Sequence, residues 1–182
     1  MKYLFTLFTA VYLFGSTAQS QTIALSNEKA THLEVRVNSY EKLSFNNSFS
    51  VLQNFTVKHE TGFYSLLTAN DYGSSLEVGD PRLPVLKKVI EVPLGASPVV
   101  TITKTSYQEY DLLELGIDHS LIPVQPSVSK SIDNPADLPF EKNNTTYQTD
   151  AWYGFETVQV EVLGQMRGVT LARLQISPVQ YN

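Results

Sequence analysis

Leu33, Val35 and Val37 alternate with Glu34 and Arg36, a period-two pattern that predicts a half-buried strand. Two short apolar runs follow, Phe49 to Leu52 and Phe55 to Val57, with Asn and Ser clusters beside them that read as turn material. Gly62 opens a third run, Phe63 to Thr68. Val85 to Val92 and Val99 to Thr105 are rich in β-branched residues, which fit a pleated surface, and Pro93-Leu94-Gly95-Ala96 parts them as a turn. A last pair, Thr157 to Leu163 and Val169 to Ile176, predicts a hairpin joined through Gly164 to Gly168.

Leu121 to Asp150 breaks this rhythm. Pro123, Pro126, Pro135 and Pro139, followed by the polar run Lys142 to Thr149, remove ladder donors and fix φ, which predicts an exposed and partly ordered loop. Loops of this length in a compact domain are usually functional or linkers. Helix is confined to one or two turns near Asp111 to Gly116. Many short strands with frequent turns predict an all-β domain, a β-sandwich or jelly-roll-like barrel with one long proline-rich loop. No internal repeat is evident. The chain stops at Asn182, just after a strand, where a sandwich often continues, so a longer precursor is expected.

The first residues follow a different logic. Lys2 gives a positive start, Leu4 to Phe14 an apolar stretch, and the small residues around Ala18, or alternatively Ser20, a cleavage position. The stretch is too short for the roughly twenty residues of a spanning helix. Residues 1–20 are therefore expected to be a signal peptide and 21–182 the exported domain, with no membrane association after cleavage. Hydrophobic residues make up 42% of the chain and charged ones 17%, enough apolar surface to offset chain entropy. The net charge of −5 and scattered Lys and Arg argue against a nucleic-acid partner. Cys is absent, which excludes thiolate catalysis, disulfides and cysteine metal sites within this chain.

Little else suggests chemistry. His32, His59 and His119 lack metal spacing, and Asp118 beside His119 comes with no nucleophile motif. Asp71, Glu77 and Asp80 near Gly73 and Gly79 could offer loop oxygens to calcium, but turn chemistry accounts for them without a metal. No cofactor, metal or catalytic set is expected. Asn46, Asn54, Asn143 and Asn144 open N-x-Ser/Thr patterns and read as polar loop residues. Trp152, Tyr153 and Phe155 cluster beside the final hairpin, where core or edge packing is the expected fate.

Three stretches, in order, carry a resemblance. Gly79-Asp80-Pro81-Arg82-Leu83-Pro84 fits a G-x-P-x-L-P pattern ahead of a strand. Asp133-Asn134-Pro135-Ala136-Asp137-Leu138-Pro139 is similar to an E-N-P-x-x-[IL]-P segment. Gly168, and then Pro178-Val179-Gln180-Tyr181-Asn182, match an R-G…P-x-Q-Y-N-P stretch. Together, across roughly residues 75 to 182, they resemble the N-terminal propeptides of gingipain-type (family C25) cysteine peptidases.

The resemblance implies a β-sandwich prodomain that assists folding of a downstream catalytic domain and keeps it latent during export. The precursor would be a cysteine endopeptidase exported to the periplasm or outer surface of a Gram-negative bacterium. It also implies that a basic side chain on an exposed loop enters the specificity pocket. Lys130, flanked by Ser131 and followed by Asp133, Asn134 and Pro135, is the candidate, being the only Lys or Arg between Lys104 and Lys142. One residue more separates it from Asn134 than the family pattern has. The other reading left open is a cell-surface adhesion or carbohydrate-binding sandwich with no attached peptidase.

Overall fold

The computed structural model describes residues 20–26, 32–132 and 138–182. The proposed signal segment falls almost wholly outside these residues, Ala18 included, as do Asp133, Asn134 and Pro135.

Nine strands dominate the described residues, arranged as open sheets. β1 (Ser20–Ala24), β4 (Val51–His59) and β5 (Gly62–Thr68) form an antiparallel sheet in the order β1-β4-β5. β2 (His32–Asn38) and β3 (Leu43–Ser48) form a hairpin. β6 (Gly73–Ser74), β7 (Pro84–Val92), β8 (Val158–Met166) and β9 (Val169–Ile176) form a second sheet in the order β6-β7-β9-β8. The all-β expectation holds, without closure into a barrel. No helix among the described residues is long and apolar enough to cross a membrane.

Two apolar clusters hold the layers. Ile23, Leu52, Leu67, Leu83, Ile117 and Leu121 form the first, beneath the β1-β4-β5 sheet, with Tyr153, Val179 and Tyr181 packed against it. Leu86, Leu174 and Ile176 form the second, where Leu33 and Phe45 of the hairpin meet the β6-β7-β9-β8 sheet. In β9 the alternation is strict: Thr170, Ala172, Leu174 and Ile176 are buried and the residues between them are not. That is the signature of a strand with one face on the core.

Several elements depart from the sequence expectation. Phe49 to Val57 gives one continuous strand in its later part, and Asn54 lies buried inside it rather than in a turn. Asn46 likewise belongs to β3. Val35 and Val37 pair as expected, with a bulge between them, yet both are exposed, and Leu33 is the residue of this strand that packs on an apolar cluster. Val99 to Thr105 joins no ladder. The whole of 101–110 is exposed. The final hairpin turns more tightly than the Gly164–Gly168 span suggests: Met166 pairs Val169, with Arg167 (φ 53°) and Gly168 (φ 83°) forming a two-residue turn. Positive φ at both positions matches the right-handed strand twist, and glycine takes it without strain. Gly164 instead sits at a bulge in β8.

Asp111 to Gly116, the stretch expected to hold one or two turns of helix, closes as hydrogen-bonded turns and not as a helix, with the Leu113 N–H donating to Asp111 Oδ1 at 2.7 Å. The polar run after Lys142 folds into the short helix α1 (Asn144–Gln148), which the prolines before it gave no reason to expect. Trp152 is largely exposed, against the packing expectation, while Tyr153 is half-buried against the first cluster.

Candidate functional site: a proline-rich arm and its neck

The loop from 121 begins as part of the scaffold. The Ser65 N–H donates to Ser120 O at 2.9 Å and the Ile122 N–H to Ser65 O at 2.9 Å, so Leu121 lies beside β5 in parallel. On its other side lies the Gly79–Leu83 stretch. The Gly79 N–H donates to Val124 O (2.8 Å), the Val124 N–H to Asp80 O (2.9 Å) and the Arg82 N–H to Ile122 O (3.0 Å). Leu121, Pro123 and Val124 are buried, so the exposed loop begins only at Gln125. The expected loop is thus shorter at its N-terminal end, because this segment completes the sheet edge that a proline can occupy.

From Gln125 to Ser131 every residue is exposed. Ser129 to Ile132 close a tight turn, the Ile132 N–H donating to Ser129 O at 3.1 Å and the Ser129 and Ser131 hydroxyls meeting at 2.8 Å. Lys130 and Ser131 are its two central residues. A serine opening such a turn bonds its own local backbone, here the Ser131 N–H at 3.3 Å. The Lys130 side chain leaves from the tip.

The chain returns along Phe140 to Asn143. Phe140 stacks on His59 (ring centroids 4.0 Å apart) and lies 5.3 Å from Tyr64. The Lys142 ammonium sits 4.4 Å from the Tyr147 ring centroid and 5.7 Å from that of Tyr64. Such cation–π contacts add about 0.5–1 kcal/mol when exposed.

Three links close the neck, one directly between the outgoing and returning stems and two from the returning stem to the Gly79-Asp80 pair that also binds the outgoing one. The Gln125 amide donates to Glu141 O at 2.8 Å and accepts from the Glu141 N–H at 3.0 Å, as a strand neighbour would. The Asn143 N–H donates to Gly79 O at 2.8 Å. Asp80 Oδ1 accepts from Asn143 Nδ2 (2.8 Å) and from Thr146 Oγ1 (2.7 Å). Gly79 is buried at φ +87°, and a Cβ there would lie 3.1 Å from the Asn143 nitrogen, so both conformation and space call for glycine.

Behind the neck stands a group of tyrosines. The Tyr147 hydroxyl donates to Leu121 O at 2.7 Å. Tyr153 and Tyr181 exchange backbone bonds of 2.6 and 2.8 Å, anchoring the C-terminal segment. The Tyr153 hydroxyl is buried without a hydrogen bond of ordinary geometry, although the Asp80 carboxylate is close enough to act on it. Burial raises the Tyr147 phenol, helped by its Tyr181 and Tyr64 neighbours, and burial with Asp80 and Glu77 raises Tyr153. A phenol raised in the fold contributes its full stability below the unfolded value of about 10 and loses it as pH climbs beyond that. Stability of residues 21–182 should therefore fall above about pH 10, and Tyr153→Phe should flatten that fall while leaving neutral-pH stability within about 0.5 kcal/mol. Urea titrations from pH 8 to 11 test this.

The other singled-out residues take structural places. Pro81, Leu83 and Pro84 are fully buried and lead directly into β7. Gly168 makes the final turn, and Pro178 and Tyr181 lie half-buried in the C-terminal segment, where Tyr181 alone bridges Tyr153. His119 lies 3.5 Å from Asp118 and stacks on Phe63. Among the described residues, no group of three acidic or His side chains is placed to hold a metal. The residues that the sequence reading did not place in the site are Gln125, Glu141 and Thr146, and Asp80 stood there only as a calcium candidate. Their partners lie across the chain, 63 and 66 residues away in the case of Asp80.

The Propeptide_C25 family matches residues 19–182. Lys-gingipain of Porphyromonas gingivalis is 38% identical over 168 residues, 92% of this chain, and the HG66 form is 37% identical over the same length. The chain spans about a tenth of the length of these curated relatives. Among solved structures, one of gingipain K from the same organism, described for its zymogenic latency, matches with a TM-score of 0.82 at 37% identity, covering 90% of this chain and 88% of that one. The complex of RgpB pro- and mature domains shares the fold, with a TM-score of 0.59 at 20% identity over 89% of this chain and 74% of that one. With a family match over nearly the whole described fold, this chain belongs to the C25 propeptide family.

Proposed function

We propose that this chain is the N-terminal prodomain of an exported gingipain-type cysteine endopeptidase, holding the downstream catalytic domain latent and assisting its folding. The observation that carries the reading is the arm: a basic residue at the tip of an exposed turn, on a loop whose base is built into the sheet. The relatives named as gingipains, and the neighbour described for zymogenic latency, favour it over a free-standing adhesion or carbohydrate-binding domain. A family match that begins at residue 19 suits removal of a leader at Ala18 or Ser20.

Lys130 is the residue proposed for the specificity pocket, with Ser131, Asp133, Asn134 and Pro135 as its neighbours in the inhibitory loop. A lysine ammonium gains a charge-assisted hydrogen bond from a buried acidic partner, while its stem packs on apolar walls. A stable complex buries about 800 Å² on each partner, more than one turn offers, so the scaffold beside the arm must share the contact. Purified residues 21–182 mixed with the mature peptidase of the same precursor should co-elute as a 1:1 complex with peptidase activity suppressed. Separate elution with full activity rejects the proposal.

A further inference from the structure

An exposed loop that enters a protease cleft is ordinarily a substrate. What separates an inhibitor from a substrate is how far the loop can relax once it is bound. Here the exposed residues 125–131 leave from a buried outgoing stem, which polar links tie to the returning one. The links are of two kinds. Backbone bonds tie Val124 and Asn143 to the Gly79-Asp80 pair, and side chains seal them: Asp80 on the returning stem, Gln125 across to Glu141.

Resting on the latency reading above, we infer that Asp80 and Gln125 are the positioning residues of the inhibitory arm, closing its neck so that Lys130 is presented without the arm being readily cleaved. Asp80 is suited to this. One carboxylate oxygen accepts from Asn143 and from Thr146, so a single side chain fixes the end of the returning stem and the start of α1. Hydrogen bonds to an ionised acceptor are roughly twice as strong as neutral ones. Gln125 is the complementary lock, since its amide satisfies both backbone groups of Glu141 and takes the place of a missing strand neighbour between prolines. Neither side chain lies at the tip of the arm; each acts through its neck.

The test uses residues 21–182 bearing Asp80→Ala, Asp80→Asn or Gln125→Ala, digested with the endoproteinase Lys-C and followed by mass spectrometry. Cleavage after Lys130 reports opening of the arm, and cleavage after Lys88, in the middle of β7, reports unfolding of the sheet. Asp80→Ala should accelerate the Lys130 cut about tenfold relative to the Lys88 cut, because proteolysis tracks the population of the open form. Asp80→Asn, which keeps an acceptor oxygen, should restore most of the resistance. Gln125→Ala should act in the same direction and covers the case in which Asp80→Ala fails to fold. An unchanged ratio of the two cuts in both Ala variants overturns the positioning role. Inhibition of the mature peptidase is measured alongside: if the Lys130 cut accelerates while no variant of Lys130 alters inhibition, the neck stands and the latency assignment of Lys130 falls.

Discussion

Replacing Lys130 with Ala should weaken inhibition of the cognate peptidase by roughly thirtyfold or more while leaving the thermal midpoint of the prodomain unchanged. A central, desolvated anchor typically costs about 2 kcal/mol or more on truncation, and each 1.4 kcal/mol is about tenfold. The fold should not notice, because the residue is exposed at the tip of a turn whose bonds run through Ser129, Ser131 and Ile132. Lys130→Arg discriminates further. An ammonium is a compact point charge and a guanidinium a planar fork, so a pocket shaped for lysine should accept Arg with an intermediate loss. Inhibition constants for the three proteins measure this directly, and equal values for wild type and Lys130→Ala would remove Lys130 from the mechanism.

The largest stability effect is expected at Leu83. It is 1% exposed, belongs to the first apolar cluster, and its N–H donates to the buried Ser75 hydroxyl at 3.0 Å. Leu→Ala at such a site removes transfer energy and leaves a cavity, for a loss of about 2–5 kcal/mol. Against a total of about 5–15 kcal/mol, that is a large share of the fold's stability. Leu113→Ala serves as the control, since that side chain is 70% exposed and its loss should stay within about 0.5 kcal/mol. Urea midpoints at constant slope report both. Similar shifts for the two variants would mean that the first cluster is not the core described above.

How much of this was legible in the sequence depends on the range of the interaction. β7, β8 and β9 announce themselves through local runs of β-branched residues and a Gly turn. Gly79 and Pro81 stood out as a motif, and the structure shows why: the glycine needs positive φ beneath Asn143, and the proline lies buried on a sheet edge. Val99 to Thr105 has the same local character as β7, yet makes no ladder, because propensity describes fitness for a pleated surface and does not supply a neighbour. Asn54 shows the reverse case, a polar residue carried into a strand by its ladder partners Gln21 and Leu67.

The tip of the arm was legible because a lone basic residue among prolines is a compositional signal. Its neck was not. Asp80 and Asn143 meet only after the second sheet is reached, and no periodicity spans the 63 residues between them. The helix α1 belongs to the same problem: its residues carry no apolar stripe, and none of them is buried. Its start is held from outside, by Thr146 on Asp80 and by Tyr147 reaching Leu121.

The position of β9 sets the order in which this chain can assemble. It is the last strand among the described residues and lies between β7 and β8, so the β7-β9 and β9-β8 ladders wait for residues 169–176, whereas the short β6-β7 ladder does not. The hairpin pairing of β8 with β9 is local, but that of β7 with β9 is distant and closes slowly, since the entropy of bringing the segments together comes before any contact rewards it. A polypeptide threaded through a narrow conduit from its N-terminus therefore keeps this sheet open until residue 176 has emerged, and a nascent chain cut short before β9 should leave β7 with an unpaired edge prone to self-association.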